Sequence, residues 1–457
     1  MRPRHRQRHP RSLRPRRLPV ILSAGLALAV PGLAWGQVPR PPAGIPQPDP
    51  IERIPLPGPG IDVRFPDDPS LAPFLNQSIG EEGTNARAQV TRPFLESIKL
   101  INSSYDRCRA LLQTTREAIL SNQLVLAHKT LEEASQAAIA ESSGLHHDQL
   151  LIESITVTGL LTDALVREGR LQSVAAETGD RTAPLPNAHS PKQLVRLVSL
   201  EWRRAGALAG KLDNPTYRNE YEARVAEGMS RDSSKIIGEV VRRTQSAEAL
   251  GEADKIDPAS VKYYEDQAGS LLEEAAKIAT SIERPIWKFA ALERVAISAG
   301  ESRQFALGMN IAGRITNAEA RAQAFVLLAE SETRANRTEE ASESYSHAAE
   351  AIARVEQGGL RGVLAGYLVD SLITSGRFTD ARASLVLYPT EGQRFVALGA
   401  IAESQGRRGG ADRAREWIAR EAPPAYRSAL YRRVNDGVLA SVGNERQNLY
   451  YTGPASR

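Results

Sequence analysis

The sequence predicts an all-α fold of antiparallel helical hairpins packed side by side, and three observations carry that expectation. Only 5% of the 457 residues are aromatic, and Ala and Leu outnumber the β-branched residues that strands draw on. From residue 94 onward apolar residues recur at three-and-four spacing, with prolines confined to the gaps between such stretches. A basic residue followed seven positions later by a branched apolar one then returns at a regular beat through the second half. The single Cys, Cys108, excludes a disulfide framework and any multi-cysteine metal site.

The first element is an export signal. Residues 1–36 hold eight arginines and no acidic residue, then an apolar run from Val20 to Val30, Pro31 and the small-residue site Ala34-Trp35-Gly36. A basic region, a short apolar core and an Ala-x-Gly exit form a secretory signal peptide, with cleavage expected between Gly36 and Gln37 and a periplasmic or secreted destination. The apolar run is shorter than the ~20 residues a spanning helix needs, and no membrane span is expected after cleavage. Arg16-Arg17 is followed by Leu18-Pro19, which departs from the twin-arginine pattern. Without the signal 50 basic residues face 54 acidic ones, so the basic balance that would suggest a nucleic-acid partner disappears. Next comes a proline-rich, largely disordered tether over 37–92, with 12 prolines between Gln37 and Pro73. Such a tract stays extended and reads as a spacer, or alternatively as a ligand for a proline-reading groove.

Amphipathic helices follow over Phe94–Leu120, Gln123–Ala140, Leu150–Val166, Leu194–Leu208, Tyr217–Met229 and Lys262–Ile282, and others reach Val434. Residues 93–283 are expected to form hairpins of irregular register, 284–442 a regular repeat array, and 443–457 a disordered tail. The repeated unit pairs Arg218 with Val225-Ala226, Lys288 with Val295-Ala296, Arg321 with Leu328-Ala329, Arg361 with Leu368-Val369, Arg394 with Ile401-Ala402 and Arg427 with Val434-Asn435. Successive units are 70, 33, 40, 33 and 33 residues apart, and the gap of 70 holds either two units or one with an insertion. Four units continue with a turn former and a small residue: Gly300/Ala306, Asn336/Ala341, Gly376/Ala381 and Gly406/Ala411. Gly or Asn tolerates the left-handed turn that ends a helix, and Ala lets the next helix approach closely. A lone hairpin cannot bury its apolar stripe, so neighbours share one core.

These residues resemble the tetratricopeptide repeat. Phe325-Val-Leu-Leu328-Ala329, then Asn336, Ala341, Tyr345 and Ala348, match that family's two helices, and Ser375-Gly-Arg-Phe-Thr-Asp-Ala381 is similar to its inter-helix turn. The repeats are degenerate: the closing proline is mostly absent or displaced, and the spacing runs from 33 to 40. The resemblance makes 284–442 a tetratricopeptide-like array and implies a right-handed superhelical stack of hairpins and adaptor or assembly work.

Each candidate for chemistry has two readings. The entrance residues Arg218, Lys288, Arg321, Arg361, Arg394 and Arg427 form either a stripe for acidic ligands or a set of cations over the carbonyl end of each preceding helix. The aromatics Tyr217, Trp287, Phe395 and Tyr426 either wedge between hairpins or bind a ligand. His146-His147-Asp148 is the only local cluster of metal-ligand types, but adjacent residues on a helix diverge by about 100°, so it reads as a helix start. His128, His189 and His347 are isolated and read as surface residues. Cys108 reads as buried, with a reactive thiol or an intermolecular disulfide as the alternatives. No phosphate-binding loop, nucleophile elbow, zinc-protease or dinucleotide motif occurs, so no catalytic, metal or cofactor residue is assigned. The sequence therefore points to an exported, non-catalytic scaffold that binds a protein. An envelope enzyme or sugar-binding protein with a cup-shaped helical site is the alternative, and a filament component the third reading.

Overall fold

The computed structural model describes residues 95–142, 144–178, 191–251 and 256–451, all within one unit spanning 61–457. The expected signal peptide and tether lie outside them. Among the described residues there is no strand. Among them a short helical segment at 95–99 precedes fifteen longer α-helices: α1 (Ser104–Leu120), α2 (Leu124–Ala140), α3 (Gly144–Thr178), α4 (Pro191–Ala209) and α5 (Pro215–Leu250). Then come α6 (Pro258–Ser281), α7 (Pro285–Glu301), α8 (Phe305–Arg314), α9 (Ala318–Arg334) and α10 (Thr338–Ala353). The last are α11 (Gly358–Thr374), α12 (Phe378–Ala383, prolonged by a 3-10 turn), α13 (Glu391–Arg407), α14 (Ala411–Glu421) and α15 (Pro424–Tyr451).

Local chemistry starts these helices. Ser103, Asn214, Asp257, Asn317 and Thr390 accept first-turn backbone N–H groups that have no partner inside the helix. Pro215, Pro258 and Pro285 occupy first-turn positions, where a missing donor costs nothing. The turn that closes a pair is repeated almost unchanged. Gln123, Gln304, Arg337, Arg377 and Gly410 each donate their N–H over 2.8–2.9 Å to the carbonyl five residues back. The residue before each donor is left-handed: Asn122, Arg303, Asn336, Gly376 and Gly409. Two expected turn pairs are therefore displaced, to Arg303/Gly308 from Gly300/Ala306 and to Gly409/Ala414 from Gly406/Ala411. Gly300 and Gly406 serve close packing instead. A Cβ on Gly406 would lie 2.4 Å from the Val434 carbonyl, and one on Gly437 would lie 2.0 Å from the Glu403 carbonyl. These two glycines let the backbones of α13 and α15 touch.

Each helix packs on the next, and each odd-numbered helix also packs on the odd-numbered helix after it, from α1 through to α15. Val225, Val295, Leu328, Leu368, Ile401 and Val434, the branched residues of the repeated unit, are all fully buried. So are Ala226, Ala296, Ala329 and Ala402, whereas Asn435 in α15 is exposed. One apolar core runs from Ile98 to Val434. The stretch of 70 residues between Arg218 and Lys288 holds a single pair, α5 and α6. It is long because α5 has 36 residues and α6 has 24. Helix α15 continues to Tyr451, beyond the end expected at 442, since neither proline nor a turn pair interrupts it before that point. Residues Gly144–Gly169 of α3 are long and apolar enough to cross a membrane, but most of that stretch is buried among its neighbours.

Candidate functional site

The entrance residues turn toward backbone. Arg218 donates from Nε and Nη2 to the Leu212 carbonyl at 2.9 and 2.7 Å, and Arg394 does the same to Tyr388 at 3.1 and 3.0 Å. Arg427 donates from Nε to the Ala422 carbonyl at 2.9 Å. Each carbonyl sits just past a helix, where acceptors lack intrahelical partners. Arg321 lies over the Phe325 ring, 5.7 Å from its centre, Arg361 buries its Nε without a partner, and Lys288 is half-buried. Of the aromatics, Tyr217 is exposed and Trp287 is half-buried against the core. Phe395 and Tyr426 stack at 4.5 Å between α13 and α15, and the Tyr426 hydroxyl donates to Glu391 at 2.7 Å.

A different set of side chains makes up the open face of the odd-numbered helices. Positions two, six and nine after each entrance residue share one side of the helix, because their spacings are four and three. In α11 these are Val363, Tyr367 and Asp370, in α13 Val396, Ala400 and Glu403, and in α15 Ala429, Arg433 and Asp436. Val363 is 69% exposed, Val396 72% and Tyr367 37%. A groove of about 670 Å³ opens between α13 and α15, lined by Val396, Ala400, Glu403, Arg432, Arg433 and Asp436 among others. Carboxylates dominate the electrostatics. Burial pushes Glu293 up to about 7, with Arg294 opposing and Glu319 adding to the rise. Burial also raises Asp370 and, with Glu330 and Glu293 nearby, the Tyr367 hydroxyl. Sequence reasoning missed this face. Its signal was register: the same offsets that mark the core in one column mark exposed residues in another.

Elsewhere polar side chains are structural. His128, read from sequence as a surface residue, is buried and hydrogen-bonded through Nδ1 to Glu201, which also accepts from Arg204 Nη1 at 2.9 and 3.0 Å. The correction has a simple cause: the partner lies 73 residues away and appears only when α2 packs against α4. Burial works to raise Glu201, but Arg204 and His128 outweigh it and hold the carboxyl below its usual range. His146 stacks on Tyr105, His147 lies 3.1 Å from the Ala138 carbonyl, and Asp148 accepts from the Asp213 and Asn214 N–H groups at 2.7 and 3.0 Å. His347 stacks on Phe325, and His189 lies outside the described residues. Cys108 is buried, its Sγ 3.3 Å from the Ala134 carbonyl, and burial pushes the thiol up to about 12. Among the described residues no group of three or more His, Cys, Asp or Glu could hold a metal ion.

No family model and no curated protein matches the chain. Among solved structures it is similar to a circular tandem repeat protein with novel repeat topology and enhanced subunit contact surfaces, at 16% identity and a TM-score of 0.30, over 83% of this chain and 91% of that one.

Proposed function

We propose that the protein is an exported, non-catalytic scaffold whose helix pairs wind as a right-handed, tetratricopeptide-like superhelix and bind another protein on the odd-numbered-helix face. One observation carries the reading. Val363, Tyr367 and Val396 stand exposed at matching register in consecutive units, beside a groove, while the equivalent core column is fully buried. Exposed apolar residues in register form a contiguous patch, which marks an interaction site rather than a scatter of surface leucines. Photo-crosslinking residues placed at Val396 or Tyr367 in the producing cell should trap one polypeptide in stoichiometric yield. The same residues at Glu339 or Arg420, on even-numbered helices, should trap none. Equal or absent trapping from both faces would refute the docking reading.

The enzyme or sugar-binding alternative has its own support in the carboxyl of Glu293, raised to about 7 on the same face. Cleavage of an envelope glycan that is abolished by Glu293→Gln would replace the scaffold reading.

A further inference from the structure

If the face docks a protein, its chemistry selects the kind of segment that fits, so this inference rests on the scaffold reading. Nine residues after the entrance position, carboxylates recur as Glu227, Glu330, Asp370, Glu403 and Asp436, with Ile297 the exception. The residue at offset six of the following helix is a compensating arginine for two of them. Arg294 lies 3.7 Å from Glu227, and Arg433 lies 3.3 Å from Glu403. Glu330 accepts the Ser371 hydroxyl at 2.8 Å, and it sits close enough to Tyr367 to raise that hydroxyl.

Asp370 breaks the series. The residue at offset six of its following helix is Ala400, and Asp370 has no hydrogen bond or ion pair among the described residues. No cation counters the burial that raises its carboxyl. Val363 and Tyr367 share its face of the helix, Val396 and Ala400 hold the matching positions on the next odd-numbered helix, and the Tyr388 hydroxyl is close enough to be raised by its charge. Charge complementarity across an interface favours a cation here, because this carboxylate stands exposed beside apolar side chains with no counter-charge of its own.

We propose that Val363, Tyr367, Asp370 and Val396 dock an extended segment of a partner protein, which pairs a lysine or arginine with Asp370 and lays aliphatic side chains on the two valines. Packed helices lie about 8–10 Å apart, and an extended polyproline-II segment rises about 3.1 Å per residue with three residues per turn, so side chains three residues apart share one face and meet consecutive units. The segment therefore carries aliphatic residues at that interval with the cation between them.

The test is fluorescence anisotropy of the full mature chain with a labelled nine-residue peptide bearing two leucines three residues apart and a lysine between them. A second peptide has glutamate in place of the lysine. The lysine peptide should bind, and the glutamate peptide should bind at least about tenfold more weakly. Asp370→Asn should weaken the lysine peptide about tenfold and narrow the preference, while Val396→Ser should weaken both peptides. Glu339→Gln, on α10, should change neither. No binding, equal binding of both peptides, insensitivity to Asp370→Asn, or an equal loss with Glu339→Gln would overturn the proposal. Trapping of a polypeptide at Val396 without preference for the lysine peptide would sink this inference alone and leave the docking reading standing.

Discussion

Replacing Glu332 by glutamine isolates the cost of one carboxyl in the core. Glu332 sits in α9 at the offset where neighbouring units carry Ala299, Leu372 and Gln405, and it is fully buried. Ser344 faces it but turns its hydroxyl toward Met309 Sδ at 3.1 Å, so neither carboxyl oxygen has a hydrogen-bond partner. Burial first, opposed by the nearby Ser344 hydroxyl and helped by Glu340 and Glu343, pushes the carboxyl up to about 7. The folded chain thus holds this proton more tightly than the unfolded chain, whose glutamates titrate near 4.3. Stability from this group is complete below about pH 4 and is lost as pH rises through about 7. The difference sets a ceiling of about 4 kcal/mol, and solvent reaching Glu340 and Glu343 reduces it to about 1–3 kcal/mol. Urea midpoints of wild type and Glu332→Gln, compared across pH 5 to 8, read the effect, and the shared contribution of Glu293 cancels in the comparison. The variant should gain on wild type steadily with pH and exceed it by about 1–3 kcal/mol at pH 8. Parallel pH profiles, or a variant less stable at pH 8, would refute the reasoning.

Glu201→Gln should destabilise the chain by about 3–5 kcal/mol, because it leaves Arg204 charged and unmatched in the interior, and denaturant titration reads the loss. The volume-matched pair Glu201→Leu with Arg204→Met should recover most of it, and a failure to recover would contradict a purely structural role. Arg394→Ala should cost about 1 kcal/mol through the lost bonds to the Tyr388 carbonyl, with peptide binding on the open face unchanged. A binding defect without a stability change would instead make that arginine part of a ligand stripe. Cys108 should resist thiol reagents at pH 8 until denaturant is added, since it is buried and its thiol is raised to about 12; rapid labelling of the native chain would contradict that placement.

Much of the fold was legible because the repeated pair of branched and small residues has one physical role in every unit, and burial is what keeps those residues apolar. The helix lengths were less legible. Nothing between Arg218 and Lys288 breaks α5 before Gly251, so one long pair is as compatible with the pattern as two short ones. The turns at Gly300 and Gly406 were misplaced because glycine serves both a left-handed turn and a close backbone approach, and only packing tells the two apart. Arg303 closes a turn in a conformation that its side chain type does not advertise. The exposed face of the odd-numbered helices was hidden for a related reason. Val363 and Val396 look like core residues until their register shows that no helix covers them.

Hydrogen exchange on the full chain carrying Gly437→Val tests the neighbour-by-neighbour account most directly. A side chain there meets the Glu403 carbonyl and forces α13 and α15 apart. Faster exchange should be confined to α13, α14 and α15, with α1 through α6 as protected as in wild type. Equal acceleration in α1 through α6 would mean that the chain folds as one cooperative body, and would contradict the account.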